Sequence, residues 1–251
     1  PVRSIAKCQA YCRKASLVTC EHFSNTAGRQ TRPAGMHGAK TRLSEDKKVC
    51  GLFGNFGQKT ANADELAALF GVLASLNVSR GADSYGVWNG TRVLARAEGT
   101  PTNVFHLARE ALREHPTLPV LGHTRLATRG RVSAANAHPF TVTAGKRRYV
   151  AAHNGGVSPR LGAYEAELAY EEHEVDSEAF FQHVLGDGGQ ASDWEGYGTF
   201  VWTTARDNAV HVGCAGTMFE LACATVDGKG GTCTVWSSEA DHLAVALRAV
   251  M

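Results

Sequence analysis

A chain of 251 residues, 43% of them apolar and 20% charged, is long enough for one large domain or two small ones. No run of 18 apolar residues and no hydrophobic secretory segment occurs, so neither a membrane-spanning helix nor export is expected. Seven cysteines, an odd number at irregular spacing, argue against a disulfide framework and for a reducing, cytoplasmic setting.

The net charge of +2 is unevenly spread. Residues 1–49 hold ten Lys/Arg against three acids, whereas the remainder holds sixteen against twenty-one. The two parts are therefore read separately. Residues 1–49 show no sustained helical or strand periodicity and start at Pro1, so a disordered leader, a propeptide or an upstream extension is expected. Without interleaved aromatics this basic stretch is a poor nucleic-acid arm, and its weak amphipathic face makes it a poor transit peptide. Cys8, Cys12, Cys20 and His22 have no compact zinc-finger spacing. No nucleic acid, metal or cofactor is expected.

From Cys50 onward the pattern becomes that of a folded domain, 50–251. Gly51-Leu52-Phe53-Gly54 reads as a short buried strand. Leu66, Leu69, Phe70, Leu73 and Leu76 form one apolar face, which predicts a helix over Asp64–Leu76 capped by Asn62 or Asp64. A turn-rich segment, Arg80-Gly81-Ala82-Asp83-Ser84-Tyr85-Gly86, follows, then a hairpin around Asn89-Gly90. A second helix is predicted over Asn103–His115, stopped by Pro116 and Pro119. Three apolar stretches then run into polar clusters: Val120–Thr128, Asn136–Phe140 and Tyr149–Gly156. After an acidic linker comes a helix from Asp176 to about Leu185. Strands are predicted over 198–204, 209–214, 219–225 and 232–237, and a last helix over Ala240–Val250. This order predicts an α+β fold with helices covering antiparallel sheets.

Side chains at strand ends can be presented into a shared cleft. Arg125 offers a planar fork for a carboxylate, although a surface ion pair would explain it equally well. Asn154-Gly155 offers an amide and an unobstructed backbone N–H for an oxyanion, yet such a pair is most often a hairpin turn. Asp176 can pair with an ammonium or merely cap a helix. Cys50 is a nucleophile only if something takes its proton, and many cysteines are simply small buried hydrophobes. Cys214, Cys223 and Cys233 read as buried structural thiols. His123, His138 and His153 read as loop supports.

Taken together, Cys50-Gly51-Leu52-Phe53-Gly54, Arg80–Gly86, Gly122-His123-Thr124-Arg125-Leu126-Ala127-Thr128, Asn136-Ala137-His138-Pro139-Phe140, His153-Asn154-Gly155 and Val175-Asp176-Ser177-Glu178 resemble the glutaminase domain of class II glutamine amidotransferases, members of the N-terminal-nucleophile hydrolases. Gly196–Phe200 and Val235-Trp236-Ser237-Ser238-Glu239 resemble the rest of that domain. The resemblance implies a four-layer αββα sandwich. It implies Cys50 as nucleophile with its own α-amine as base, Asn154 and Gly155 as oxyanion hole, and Arg125 and Asp176 as holders of the glutamine α-carboxylate and α-ammonium. The sequence departs from the pattern at Leu126, where several relatives have Trp, and at Arg129-Gly130, where His-Gly is common.

The implied activity is hydrolysis of glutamine, or of another γ-glutamyl amide, to glutamate and ammonia through a thioester. The domain would act as a stand-alone amidohydrolase or as the ammonia-donating subunit of a separate synthase, since no acceptor domain follows position 251. A catalytically silent glutamine-binding module is the alternative. Residue 49 poses the remaining question, because Cys50 must become the first residue. Either a propeptide is removed after Val49, or translation starts at a GUG codon there and residues 1–48 are never made.

Overall fold

The computed structural model describes residues 2–8, 18–20, 50–57, 62–204, 209–215, 221–228 and 231–251. Cys12, His22, Val49 and the start of the strand expected from Phe219 lie outside them.

Seven strands form one antiparallel sheet. Its central member is β3 (Gly51–Gly57), flanked on one side by β12 (Gly231–Ser237), β11 (Leu221–Gly228) and β1 (Val2–Cys8). On the other side lie β6 (Val120–Arg125), β4 (Ser84–Trp88) and β5 (Val93–Glu98). The second sheet runs in the order β2 (Val18–Cys20), β10 (His211–Ala215), β9 (Trp194–Thr204), β8 (Arg147–Pro159), β7 (Phe140–Ala144). All the pairings within both sheets are antiparallel.

Helix α1 (Ala63–Asn77) follows the expected periodicity: Leu66, Leu69, Phe70 and Leu73 are buried, each worth about 1.5–3 kcal/mol relative to exposure. Asn62 is its cap, its side-chain oxygen accepting the Asp64 N–H at 3.1 Å. With α2 (Val104–Glu114) and α5 (Ala240–Val250), α1 covers the outer face of the seven-stranded sheet, enclosing Phe53, Tyr85, Val87, Ala224 and Val235. Leu52, Trp88, Leu121 and Trp236 from that sheet meet Val150, Ala152, Val201 and Val212 from the other in a second apolar layer. A third layer, with Phe140, Val157, Phe180, Phe181 and Phe200, lies between the five-stranded sheet and the helices α3 (Tyr164–Glu172) and α4 (Asp176–Phe181). Helix, sheet, sheet, helix is the expected αββα sandwich.

Two expectations differ from the structure. The acidic linker before Asp176 contains helix α3, which buries only Ala166 and Ala169 and leaves Tyr164 and Leu168 exposed. A helix with so thin an apolar face carries no periodicity to detect. Within residues 1–49, where no regular element was expected, β1 pairs with β11 and β2 with β10. Both neighbours would otherwise present open backbone N–H and C=O groups, and pairing satisfies these whatever the side-chain pattern.

Candidate active site

The site is assembled where several chain turns meet. Cys50 immediately precedes β3, and the register of β3 against β6, Gly51 opposite Thr124, brings it to the end of β6. There the Leu126 N–H donates to Cys50 Sγ at 3.4 Å, and the thiol lies 3.6 Å from the Leu126 carbonyl oxygen. The Arg80 Nε donates to the Cys50 carbonyl at 3.0 Å, and Arg80 is itself paired with Glu239. Asp83 accepts the Ala127 N–H at 2.7 Å and donates its own N–H to the Arg125 carbonyl at 3.0 Å. The loop beside the thiol is thus clamped from the Arg80–Gly86 segment.

Arg125, at the end of β6, is only 2% exposed, so it is not a surface ion pair. Its guanidinium donates to the carbonyls of Arg129 and Arg131, which curls the following loop around it. A guanidinium has five N–H donors, so this leaves further donors for a carboxylate. Arg129 is tied down in turn: its guanidinium sits 3.4 Å from the Tyr170 ring centroid and donates to the Tyr170 and His173 carbonyls. The residue that departs from the family pattern therefore anchors the loop on α3.

Asp176 is buried at the first position of α4, with Val175 as the cap. Its carboxylate accepts the Val157 N–H from β8 at 2.9 Å, leaving most of its lone pairs for a cation. Asn154 sits on β8 opposite Thr199 of β9, and its Nδ2 donates to Ser238 Oγ at 3.4 Å. Gly155 lies opposite Gly198, where the strands approach so closely that a β-carbon at 155 would meet the Tyr197 carbonyl oxygen at 2.0 Å. Asn154-Gly155 is thus mid-strand rather than a hairpin turn.

Buried histidines support this floor. His123 Nε2–H donates to the His153 carbonyl at 3.0 Å, joining the two sheets directly behind Asn154. His153 is held as the Nε2–H tautomer, because Nε2 faces the Tyr197 carbonyl and Nδ1 faces the Ser177 hydroxyl at 2.9 Å. Its ring stacks on Phe200 with centroids 4.2 Å apart. Burial pushes His123 down to about 3 and His153 to about 4, and lowers His138 well below the usual histidine value. His123 and His153 are thus neutral near pH 7 and hydrogen-bonded between strands. Neither ring nitrogen of His138 has a hydrogen-bond partner among the described residues; its ring packs on that of His123 with centroids 4.1 Å apart, so it supports no loop by hydrogen bonding.

Burial also pushes the Cys50 thiol up to about 11, against the opposing pull of the Leu126 hydrogen bond and of Arg125 and Arg80, while Asp176 raises it further. The same field links thiol, Arg125 and Asp176 in one small volume. Cys214, Cys223 and Cys233 are buried in strands as expected, with the Cys233 thiol pushed up to about 12 by burial. Among the described residues, no three His, Cys, Asp or Glu side chains are grouped as a metal would require. No described helix is long and apolar enough to cross a membrane.

Sequence reasoning singled out Cys50, Arg125, Asn154, Gly155 and Asp176 as candidates but not the contacts that Arg80, Asp83, Ser238 and Glu239 make around them. All four stand in recognised motifs. What escaped detection was their contacts, made across up to 186 residues of chain.

A sandwich of two antiparallel sheets between helical layers, with a cysteine at the head of a central strand, has the architecture of N-terminal-nucleophile hydrolases. The chain belongs to the class II glutamine amidotransferases, whose family profile matches residues 49–245. It is 36% identical over 137 residues to the isomerizing glutamine–fructose-6-phosphate aminotransferase of Streptomyces coelicolor, spanning 52% of this chain and 20% of that protein. The same enzyme of Mycolicibacterium paratuberculosis is 38% identical over 123 residues, 45% of this chain and 18% of the relative. The matches thus span about a fifth of the length of these relatives. A solved structure, that of the allosteric regulatory enzyme of purine biosynthesis, is similar over 78% of this chain and 43% of that one, with 17% identity and a TM-score of 0.46.

Proposed function

We propose that this chain hydrolyses the side-chain amide of glutamine, with Cys50 as nucleophile once Cys50 is the first residue. The observation that carries the reading is geometric: the Cys50 thiol sits at the end of β6 beside the buried guanidinium of Arg125, and Ser238 ties the strand that follows Cys50 to the Asn154 amide. A cysteine thiol is mostly protonated at pH 7, so attack needs a base. Of the buried histidines nearby, His123 donates to the His153 carbonyl, His153 is engaged through both ring nitrogens, and the burial that lowers His138 well below the usual histidine value makes it a weak base. A free α-amine on Cys50, titrating near ~7.7–8.0, is a base of the right strength on the same residue as the thiol.

In the first step the amine takes the thiol proton and sulfur bonds to the amide carbon, placing negative charge on the amide oxygen. The Asn154 amide and the Gly155 N–H donate to that oxyanion. Collapse breaks the C–N bond, the ammonium returns its proton to the leaving nitrogen, and ammonia departs from a γ-glutamyl thioester. Water then attacks the thioester, yielding glutamate and the thiol. Arg125 holds the α-carboxylate and Asp176 the α-ammonium, opposite charges flanking the thiol and fixing which amide is presented.

The domain division follows: residues 50–251 do the chemistry, and residues before 50 are absent from the active form, through cleavage after Val49 or initiation there. Ammonia is released to water or to an acceptor on a separate synthase. The test begins with the N-terminal mass of the active protein and glutamate release by wild type and Cys50→Ala. A chain starting at Cys50, with release abolished in Cys50→Ala, supports the proposal. A chain retaining residues before 50 that forms no thioester adduct with a glutamine-like electrophile would instead identify a silent glutamine-binding module. Comparing glutamate release with and without candidate acceptors separates hydrolase from subunit.

A further inference from the structure

We infer that Ser238 is a positioning residue for this reaction, setting both the distance and the orientation between nucleophile strand and oxyanion donor; this rests on the roles proposed for Cys50 and Asn154. A serine hydroxyl has one donor and two acceptor sites, and here all three are used. Ser238 Oγ accepts the Leu52 N–H at 2.7 Å, donates to the Leu52 carbonyl at 3.1 Å, and accepts from Asn154 Nδ2 at 3.4 Å. Its backbone N–H also donates to the Leu52 carbonyl at 2.7 Å. One side chain therefore joins the residue two after the nucleophile to the amide that would receive the oxyanion.

The orientation argument is sharper. Asn154 is 1% exposed, and among the described residues Ser238 is the one group that hydrogen-bonds its side chain; Asn154 Oδ1 is buried without a partner. Since the Ser238 proton is committed to Leu52, the hydroxyl presents a lone pair to Asn154. A lone pair attracts an N–H and repels a carbonyl oxygen, so it selects the flip that turns Nδ2 towards Ser238. An amide nitrogen has two hydrogens, and the second remains for the substrate oxyanion. Without that lone pair, nothing in the described structure holds the amide in the donating flip. Glu239, the next residue, pairs with Arg80, which holds the Cys50 carbonyl, so the corner after β12 fixes the nucleophile from two directions.

Glutamate release is first measured for wild type and Cys50→Ala; activity surviving in Cys50→Ala would refute the site itself, independently of Ser238. Ser238→Ala should then lower kcat about tenfold or more, with KM for glutamine changing less than twofold, and Ser238→Thr should recover most of the loss. Ser238→Cys keeps the volume but is a weak acceptor, so it should behave like alanine and carries the test if the alanine variant does not fold. In a cycle with Asn154→Ala, adding Ser238→Ala should cause little further loss, because both remove the same donor. A folded Ser238→Ala or Ser238→Cys within twofold of wild-type kcat, or losses that multiply with Asn154→Ala, would overturn the inference.

Discussion

Gly155→Ala isolates the closest backbone approach in the site. Gly155 has φ of +155°, a region nearly reserved for glycine, and an added β-carbon would sit 2.0 Å from the Tyr197 oxygen, 2.6 Å from Gly198 Cα and 2.6 Å from His153 Nε2. Two of those atoms are backbone of the paired strand and cannot rotate away. Strain at such a φ costs about 1–3 kcal/mol, and forcing an extra carbon into packed surroundings costs about as much again. Displacing Tyr197 also weakens the His153–Tyr197 hydrogen bond, about 1 kcal/mol. The sum is roughly 3–7 kcal/mol, a large share of a typical domain stability. Urea unfolding of Gly155→Ala beside Gly99→Ala is the measurement. Gly99 has φ of +80° but no atom within 4 Å of its added carbon, so only conformational strain of about 1–2 kcal/mol applies. Equal destabilisation of the two variants would refute the argument that strand approach, rather than dihedral preference alone, demands glycine at 155.

Asp176→Asn keeps an oxygen for the Val157 N–H but removes the charge, so the fold should persist while KM for glutamine rises about 10–100-fold, the cost of one charge-assisted hydrogen bond; an unchanged KM would remove Asp176 from the substrate site. Arg129→Lys loses the stacking on Tyr170 and the planar fork, and should raise KM severalfold at little cost to kcat; steady-state kinetics decide, and parity with wild type would refute a loop-anchoring role. His123 and His153 are depressed to about 3 and 4 when folded, so the unfolded chain binds more protons below about pH 6.5. Their stabilisation is complete above that pH and declines as pH falls towards 4, by about 2 kcal/mol each at pH 5. The unfolding free energy from urea titrations should drop between pH 7 and 5, and a flat profile would contradict buried neutral imidazoles.

Legibility differed between elements for physical reasons. Helices α1 and α5 were readable because their buried faces repeat every three to four residues within one local stretch. The candidate site residues stood out because each lies in a short motif, although Asn154 and Gly155 sit mid-strand and Asp176 opens a helix. Helix α3 was not, since two of its larger side chains, Tyr164 and Leu168, face solvent, its fully buried residues are two alanines, and only Tyr170 packs partly against the core. The strands at Val2–Cys8 and Val18–Cys20 owe their form to the neighbours they pair with, which lie more than 190 residues further on.

The sequence by itself determined, through the spacing of apolar residues, an α+β order of helices over antiparallel strands, and it set the chemical inventory: a thiol, a guanidinium, an amide and a carboxylate. The αββα layering was implied only by the resemblance of its motifs. Tertiary structure alone decided how that inventory is deployed. It pushed the thiol up to about 11 by burial, turned Arg125 into its own loop, and left the Asn154 amide held by Ser238, 84 residues away. Periodicity is a local property and survives in one dimension. Desolvation and hydrogen-bond orientation depend on which atoms meet across two sheets, and they exist only once the chain has closed on itself.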